Sequence, residues 1–306
     1  MDALELVGNT PLIELKRVVP DRRKVRILAK AEYFNASGSV KDRAARAMIL
    51  DGIRSGKLSG AKTIVDATSG NTGIAYAMIG AVLGIAVELY LPANVTEERK
   101  LTMRSYGAKL VETDALEGID GAYKACRRAV NKDPLKYFYP DQYVNEANWK
   151  AHYEGTAEEI WAQTEGKLTH FLAGTGTSGT FMGCARKLKE KNKKIKCYNV
   201  TPDSPFHGIE GIKHRMMVLK DGFFDESISD GQPAVSTEEA YHMSRRLARE
   251  EGLFVGISSG ANVAAAVRLA EKLPEGSMIV TILCDGGSRY VTGELWRVED
   301  NGGWGI

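Results

Sequence analysis

Short apolar runs alternate with helix-like segments along nearly the whole chain, and this rhythm constrains the fold more than any single motif. "VRILAKAEY", "KTIVDAT", "AVELYLP", "KLVETD", "LTHFLAG", "IKCYNVTP" and "MIVTILCDG" read as strands, several of them apolar on both faces. Between them, "DRAARAMILDGIRSG", "GIAYAMIGAVLG", "TEERKLTMRSYG", "GIDGAYKACRRAVNK", "EGTAEEIWAQTEG", "GCARKLKEKN", "STEEAYHMSRRLAREEG" and "ANVAAAVRLAEKL" read as helices, many of them stopped by glycine. Parallel strands need crossover helices, so the alternation predicts an α/β fold with mostly parallel sheets covered by helices. The 306 residues supply enough strands for two doubly wound domains. "MMVLKDGFFDESISDGQPAVST" breaks the rhythm and reads as an irregular connection or lid.

Charge and cysteine usage narrow the class. The net charge is +2, with both signs interspersed, which argues against nucleic acid or an anionic membrane as the main partner. No apolar run reaches the roughly 18–20 residues of a membrane span. The N-terminus carries early acids and no basic-then-apolar leader pattern. Cys126, Cys184, Cys197 and Cys284 are widely spaced, without a C-x-x-C. A metal site or disulfide framework is therefore not expected, and a reducing cytoplasm fits.

Ligands of such sheets bind where strand carboxyl ends meet helix N-termini, and four small-residue loops suit that place. "TSGNTG", Thr68 to Gly73, suits a small carboxylate and suits an ordinary N-cap equally well. "GTGTSGTFMG", Gly174 to Gly183, contains G-x-G-x-x-G, but the next strand ends "YNVTP" without the acid that a dinucleotide ribose requires. Its crowded hydroxyls favour a terminal phosphate monoester. "GISSGAN", Gly256 to Asn262, reads as another cap, and no histidine follows it to complete a hydrolase triad.

The fourth loop is "NASGSVKDR", Asn35 to Arg43, which puts Lys41 among small residues at a helix start. A helix N-terminus disfavours a cation, and desolvation lowers an amine's pKa towards that of a nucleophile. A reactive lysine, a phosphate cup and a carboxylate cup together suggest pyridoxal phosphate acting on an amino acid. Asp42 and Arg43 read as structural, pairing with each other to fix the helix start.

"VGNTPLIEL", "NASGSVKDRAA", "ATSGNTGIAYA", "AGTGTSGT", "GISSGAN" and "CDGGSRY" occur in order along essentially the whole chain. Together they resemble the motifs of fold-type II pyridoxal-phosphate enzymes, and most closely the cysteine synthases (O-acetylserine sulfhydrylases). Cys284 and Asp285, where A-type enzymes usually have Pro-Ser, look more like the B-type. The resemblance implies that Lys41 carries the cofactor as an imine and serves as general base. It implies that Asn71 bonds the 3′ oxygen of the ring, and that Gly176, Thr177, Ser178, Gly179 and Thr180 hold the phosphate. Ser258 would face the pyridine nitrogen. Thr68, Ser69, Gly70 and Thr72 would bind the substrate carboxylate with Gln142.

The implied reaction is β-replacement on O-acetylserine or another β-activated serine, through an α-aminoacrylate, with sulfide or thiosulfate as donor. Lys213, His214 and Arg215 read either as a basic entrance favouring O-phosphoserine or thiosulfate, or as a solvated turn. The alternatives are an O-phosphoserine sulfhydrylase, a cystathionine β-synthase core and, from another class, an inactive binding module on the same fold. The resemblance also implies a smaller mobile domain over 40–148, closing on a larger one formed by 1–39 and 149–306. A homodimer is expected, with serine acetyltransferase as a further partner. The tail "NGGWGI", with Trp304 and Ile306, reads as a dimer-packing tail or as an active-site mimic.

Overall fold

A computed structural model describes residues 2–21, 24–68, 70–217 and 222–297. Ser69, the tail with Trp304 and Ile306, and the side chain of Arg215 lie outside the described residues.

The strands are β1 (Leu12–Leu15), β2 (Val25–Ala31), β3 (Thr63–Ala67), β4 (Val87–Pro92), β5 (Lys109–Thr113), β6 (Tyr137–Phe138), β7 (His170–Gly174), β8 (Lys196–Pro202), β9 (Ala234–Val235) and β10 (Ser277–Leu283). They form two sheets, with orders β1-β2-β10-β7-β8-β9 and β5-β4-β3-β6. Among the described residues, these strands all pair in parallel except β1 on β2. β10 runs through the larger sheet with all seven residues buried, as its largely apolar sequence, SMIVTIL, suits a strand covered on both faces. β1, β6 and β9 were not expected. Two of them are only two residues long, and β1 is a four-residue edge strand held by long-range pairing with β2.

The helices are α1 (Lys41–Arg54), α2 (Asn71–Leu83), α3 (Glu97–Ser105), α4 (Gly118–Lys132), α5 (Glu146–Ala151), α6 (Ala157–Gln163), α7 (Gly179–Lys191), α8 (Thr237–Glu251) and α9 (Ile257–Ala270). α9 is buried almost all round and rich in alanine, so it packs closely against the larger sheet. α8 begins with a capping box, in which the Ser236 hydroxyl accepts from the Glu239 amide and the Glu239 carboxylate accepts from the Ser236 amide. One helix was expected from Glu154 onwards. Instead, helical structure starts at Glu146, and a π turn over His152–Thr156 joins α5 to α6. No helix among the described residues is long and apolar enough to cross a membrane.

The expected Asp42–Arg43 pair does not form. Neighbouring helix residues point about 100° apart, so they cannot face each other. Asp42 instead accepts from the Ser37 amide and hydroxyl, both at 2.5 Å, closing the turn ahead of Lys41. Burial pushes the Asp42 carboxyl up to about 6 against those hydrogen bonds. Arg43 reaches back to Glu32, with Nε–Oε2 at 2.6 Å, and across to Glu159, with Nη1–Oε1 at 2.7 Å. Lys30 joins the network at 2.6 Å from Glu159. This buried cluster ties β2, α1 and α6 together directly behind the lysine.

Candidate active site

The carboxyl ends of β3, β7 and β10 converge on a cavity of about 330 Å³, in the range of small-ligand sites. Lys41, the first residue of α1, lines it. The lysine loop is stitched to the end of β10: the Val40 amide donates to the Cys284 carbonyl at 2.8 Å, and Ser39 bridges to Asp285. Burial pulls the Lys41 amine below the ordinary lysine value, partly opposed by Cys284 and Asp285. Burial thus makes the charged form of this amine costlier than that of an exposed lysine, the direction a nucleophile needs.

The N-termini of two helices line the same cavity as the lysine. Gly70 precedes α2, and Thr68, Gly70, Asn71 and Thr72 all line the cavity. The Thr72 hydroxyl donates to Gln142 Oε1 at 3.0 Å, which brings Gln142 from the segment after β6 to the same wall. Ser178, in the left-handed region at φ 73°, precedes α7, and Gly176 through Thr180 line the cavity beside it. Asn148 Nδ2 supports this loop, donating to Thr177 Oγ1 at 2.9 Å and to the Gln142 carbonyl at 2.6 Å.

Ser258 sits in the first turn of α9, buried, with its hydroxyl against the Cys284 thiol. Lys213 also lines the cavity, its ammonium 4.2 Å from the centre of the Tyr143 ring. Burial lowers its pKa, while His214 is itself buried. The thirteen described members of the fourteen site residues expected from sequence therefore meet in one cavity.

Asn71 is the most heavily engaged of them. Its Nδ2 donates to Asp285 Oδ2 at 2.7 Å, and its Oδ1 accepts from Arg289. Arg289 also donates to the Ser37 carbonyl, so one guanidinium joins the lysine loop to the N-terminus of α2. Asp285 also accepts from the Tyr290 hydroxyl at 2.7 Å. Arg99 of α3 lines the cavity and pairs with Glu210 at 2.6 Å, linking an element beside the smaller sheet to the 207–215 segment. Sequence reasoning assigned no roles to Asp285, Arg289, Arg99 or Asn148. "CDGGSRY" was the available signal for the first two, while a lone Arg and a lone Asn inside helices carry none.

The residues fit pyridoxal phosphate. A Cβ on Gly176 would run into the Gly211 carbonyl oxygen and come within 3.9 Å of Lys41 Nζ, so only glycine leaves room beside the amine. Two uncapped helix N-termini supply backbone N–H groups for the phosphate and for a carboxylate, and they line the same cavity as the lysine.

Over residues 3–285 the chain matches the family of pyridoxal-phosphate dependent enzymes, and it belongs to that family. Cysteine synthase of Aquifex aeolicus is 51% identical over 302 residues, covering 97% of this chain and 92% of that protein. Cysteine synthase B of Salmonella typhimurium is 39% identical over 300 residues, covering 98% and 97%. The crystal structure of cysteine synthase from Entamoeba histolytica is similar with a TM-score of 0.93 at 37% identity, covering 99% of this chain and 92% of that one. Within the family, the chain's place is with the cysteine synthases of fold type II.

Proposed function

We propose that this chain makes L-cysteine by β-replacement, taking O-acetylserine and sulfide as substrates and pyridoxal phosphate as cofactor. The observation that carries the reading is the buried Lys41 amine sharing one cavity with two uncapped helix N-termini. When bound, pyridoxal phosphate supplies the electron sink that lets a β-substituent leave. The protein's own residues do the rest. Gly176 to Thr180 hold the phosphate at the positive end of α7. Thr68, Ser69, Gly70 and Thr72 bind the amino-acid carboxylate with Gln142. Lys41, its charge disfavoured by burial, removes the Cα proton and later returns it. Ser258 offers a neutral hydroxyl at the ring nitrogen, and a second N–H of Asn71 remains for the 3′ oxygen.

The same reading includes a mobile unit over 40–148, closing on 1–39 with 149–306. The split of strands supports it: β3 to β6 form one sheet, and the remaining strands form the other. It also includes a cytoplasmic homodimer with serine acetyltransferase as a partner, on the strength of the family motifs. Lys213 supports acceptance of anionic substrates such as O-phosphoserine or thiosulfate as a second capability.

The test is reconstitution with pyridoxal phosphate, followed by product analysis with O-acetylserine or O-phosphoserine against sulfide, thiosulfate and homocysteine. Cysteine from O-acetylserine and sulfide, together with a visible absorbance band that Lys41→Ala loses without unfolding, is the expected outcome. A protein that stays colourless with added cofactor refutes the reading.

A further inference from the structure

Behind the phosphate-facing loop lies a second layer drawn from α5 and the π turn. Asn148 and His152 are four residues apart and so share a helix face. Asn148 reaches Thr177 at 2.9 Å, and His152 Nε2 lies 3.4 Å from Thr180 Oγ1. The other ring nitrogen, Nδ1, is 2.9 Å from Thr156 Oγ1, at the far end of the π turn. π turns are rare inside helices and concentrate at functional sites, because the wider turn re-aims side chains. The two segments are locked together. A Cβ on Gly183 of α7 would overlap the Trp149 carbonyl oxygen and press on His152 Cβ, so their backbones pack in direct contact.

His152 is 2% exposed. Burial holds its pKa well below the ordinary histidine value, and Arg43 and Lys41 push the same way, with Glu159 opposing. A neutral ring has one N–H and one lone pair, so two tautomers can join Thr156 to Thr180. In one, the Thr156 hydroxyl donates to Nδ1 and Nε2–H donates to Thr180, leaving the Thr180 hydrogen free to point into the cavity. In the other, Thr180 donates back to Nε2 and offers the cavity only lone pairs, which an anion repels.

We propose, building on the pyridoxal phosphate reading above, that His152 is a positioning residue whose Nε2–H fixes Thr180 as a hydrogen-bond donor to the cofactor phosphate. His152 does not touch the cofactor itself. It decides which way the Thr180 hydroxyl faces, and the Thr156 hydroxyl holds it in that tautomer.

The test measures the affinity of the enzyme for pyridoxal 5′-phosphate and for pyridoxal, which lacks the phosphate. His152→Leu should weaken pyridoxal 5′-phosphate binding about 10-fold or more, the scale of one hydrogen bond to a charged acceptor. Pyridoxal binding should move less than about 2-fold, since the lost hydrogen bond serves only the phosphate. His152→Gln, whose amide reaches the position of Nε2, should restore most of the loss. In a Thr180→Val background, His152→Leu should have no further effect.

Equal weakening of both ligands, or a His152→Leu effect that persists in Thr180→Val, overturns the proposal. Should the leucine variant fail to fold, nitrogen NMR of the wild-type holoenzyme decides the matter: a proton on Nε2 of His152 is expected, and one on Nδ1 overturns the proposal. A wild-type protein that binds neither ligand would refute the cofactor reading instead, so the two failures are distinguishable.

Discussion

Replacing Arg43 with methionine keeps a long side chain in place but removes the guanidinium from a buried cluster. That guanidinium makes five hydrogen bonds: two to Glu32, at 2.6 and 2.9 Å, two to Glu159, at 2.7 and 2.8 Å, and one to Thr10 at 3.2 Å. Glu32 is completely buried, and without Arg43 its carboxylate keeps only the Thr10 hydroxyl at 2.7 Å and the Asn35 amide at 2.8 Å. Glu159 fares better, because Lys30 and the Asn9 amide remain bonded to it. The larger cost therefore falls on Glu32. Breaking a buried pair by removing one partner costs about 3–5 kcal/mol, most of it from the stranded charge.

The assay is urea denaturation of the cofactor-free proteins, followed by circular dichroism, so that ligand linkage does not enter the comparison. Arg43→Met should lose about 3–5 kcal/mol, and adding Glu32→Gln should return at least about 1 kcal/mol by removing the stranded charge. A single variant within about 1 kcal/mol of wild type, or a double variant no better than the single, would refute this account. Because Arg43 lies two residues beyond Lys41, a weakened cofactor band should accompany the loss of stability.

Gly176→Ala puts a methyl group against the Gly211 carbonyl, where backbone rather than a flexible side chain must yield. Cofactor affinity should fall by about 10-fold or more, the equivalent of about 1.4 kcal/mol, and unchanged affinity in an equilibrium titration would count against the close approach. Asp66 provides a pH signature: burial raises its carboxyl to about 7 from the ordinary 3.8. Below about pH 4 the group is protonated whether the chain is folded or not, but between there and pH 7 the unfolded chain ionises first. Stability should therefore fall as pH rises through that window, by on the order of 4 kcal/mol at about 1.4 kcal/mol per unit. Asp66→Asn should flatten this slope in denaturation curves taken from pH 4 to 7, and an identical slope would sink the assignment.

Much of the site was legible because its signals are local. Lys41, "TSGNTG" and "GTGTSGT" each lie within a few residues of a strand-to-helix junction, where small residues and hydroxyls reveal backbone that must meet a ligand. The strands later found in both sheets were readable from apolar runs wherever they were five residues or longer. β6 and β9 offered two residues each, too few to show any period. The helix start at Glu146 was missed because α5 is a single six-residue segment, too short for its apolar spacing to stand out.

What the sequence by itself determined was the alternation of elements, hence parallel sheets, and the chemistry of the loops at their carboxyl ends. Period and turn chemistry are properties of neighbouring residues, and so they survive without a structure. Only the tertiary structure decided who pairs with whom. Asn71 meets Asp285 and Arg289 across 214 and 218 positions, Arg43 chooses Glu32 and Glu159 over Asp42, and His152 backs Thr180. Those choices depend on which surfaces the two sheets bring together. Even Glu32, eleven positions before Arg43, is marked as its partner only by the fold.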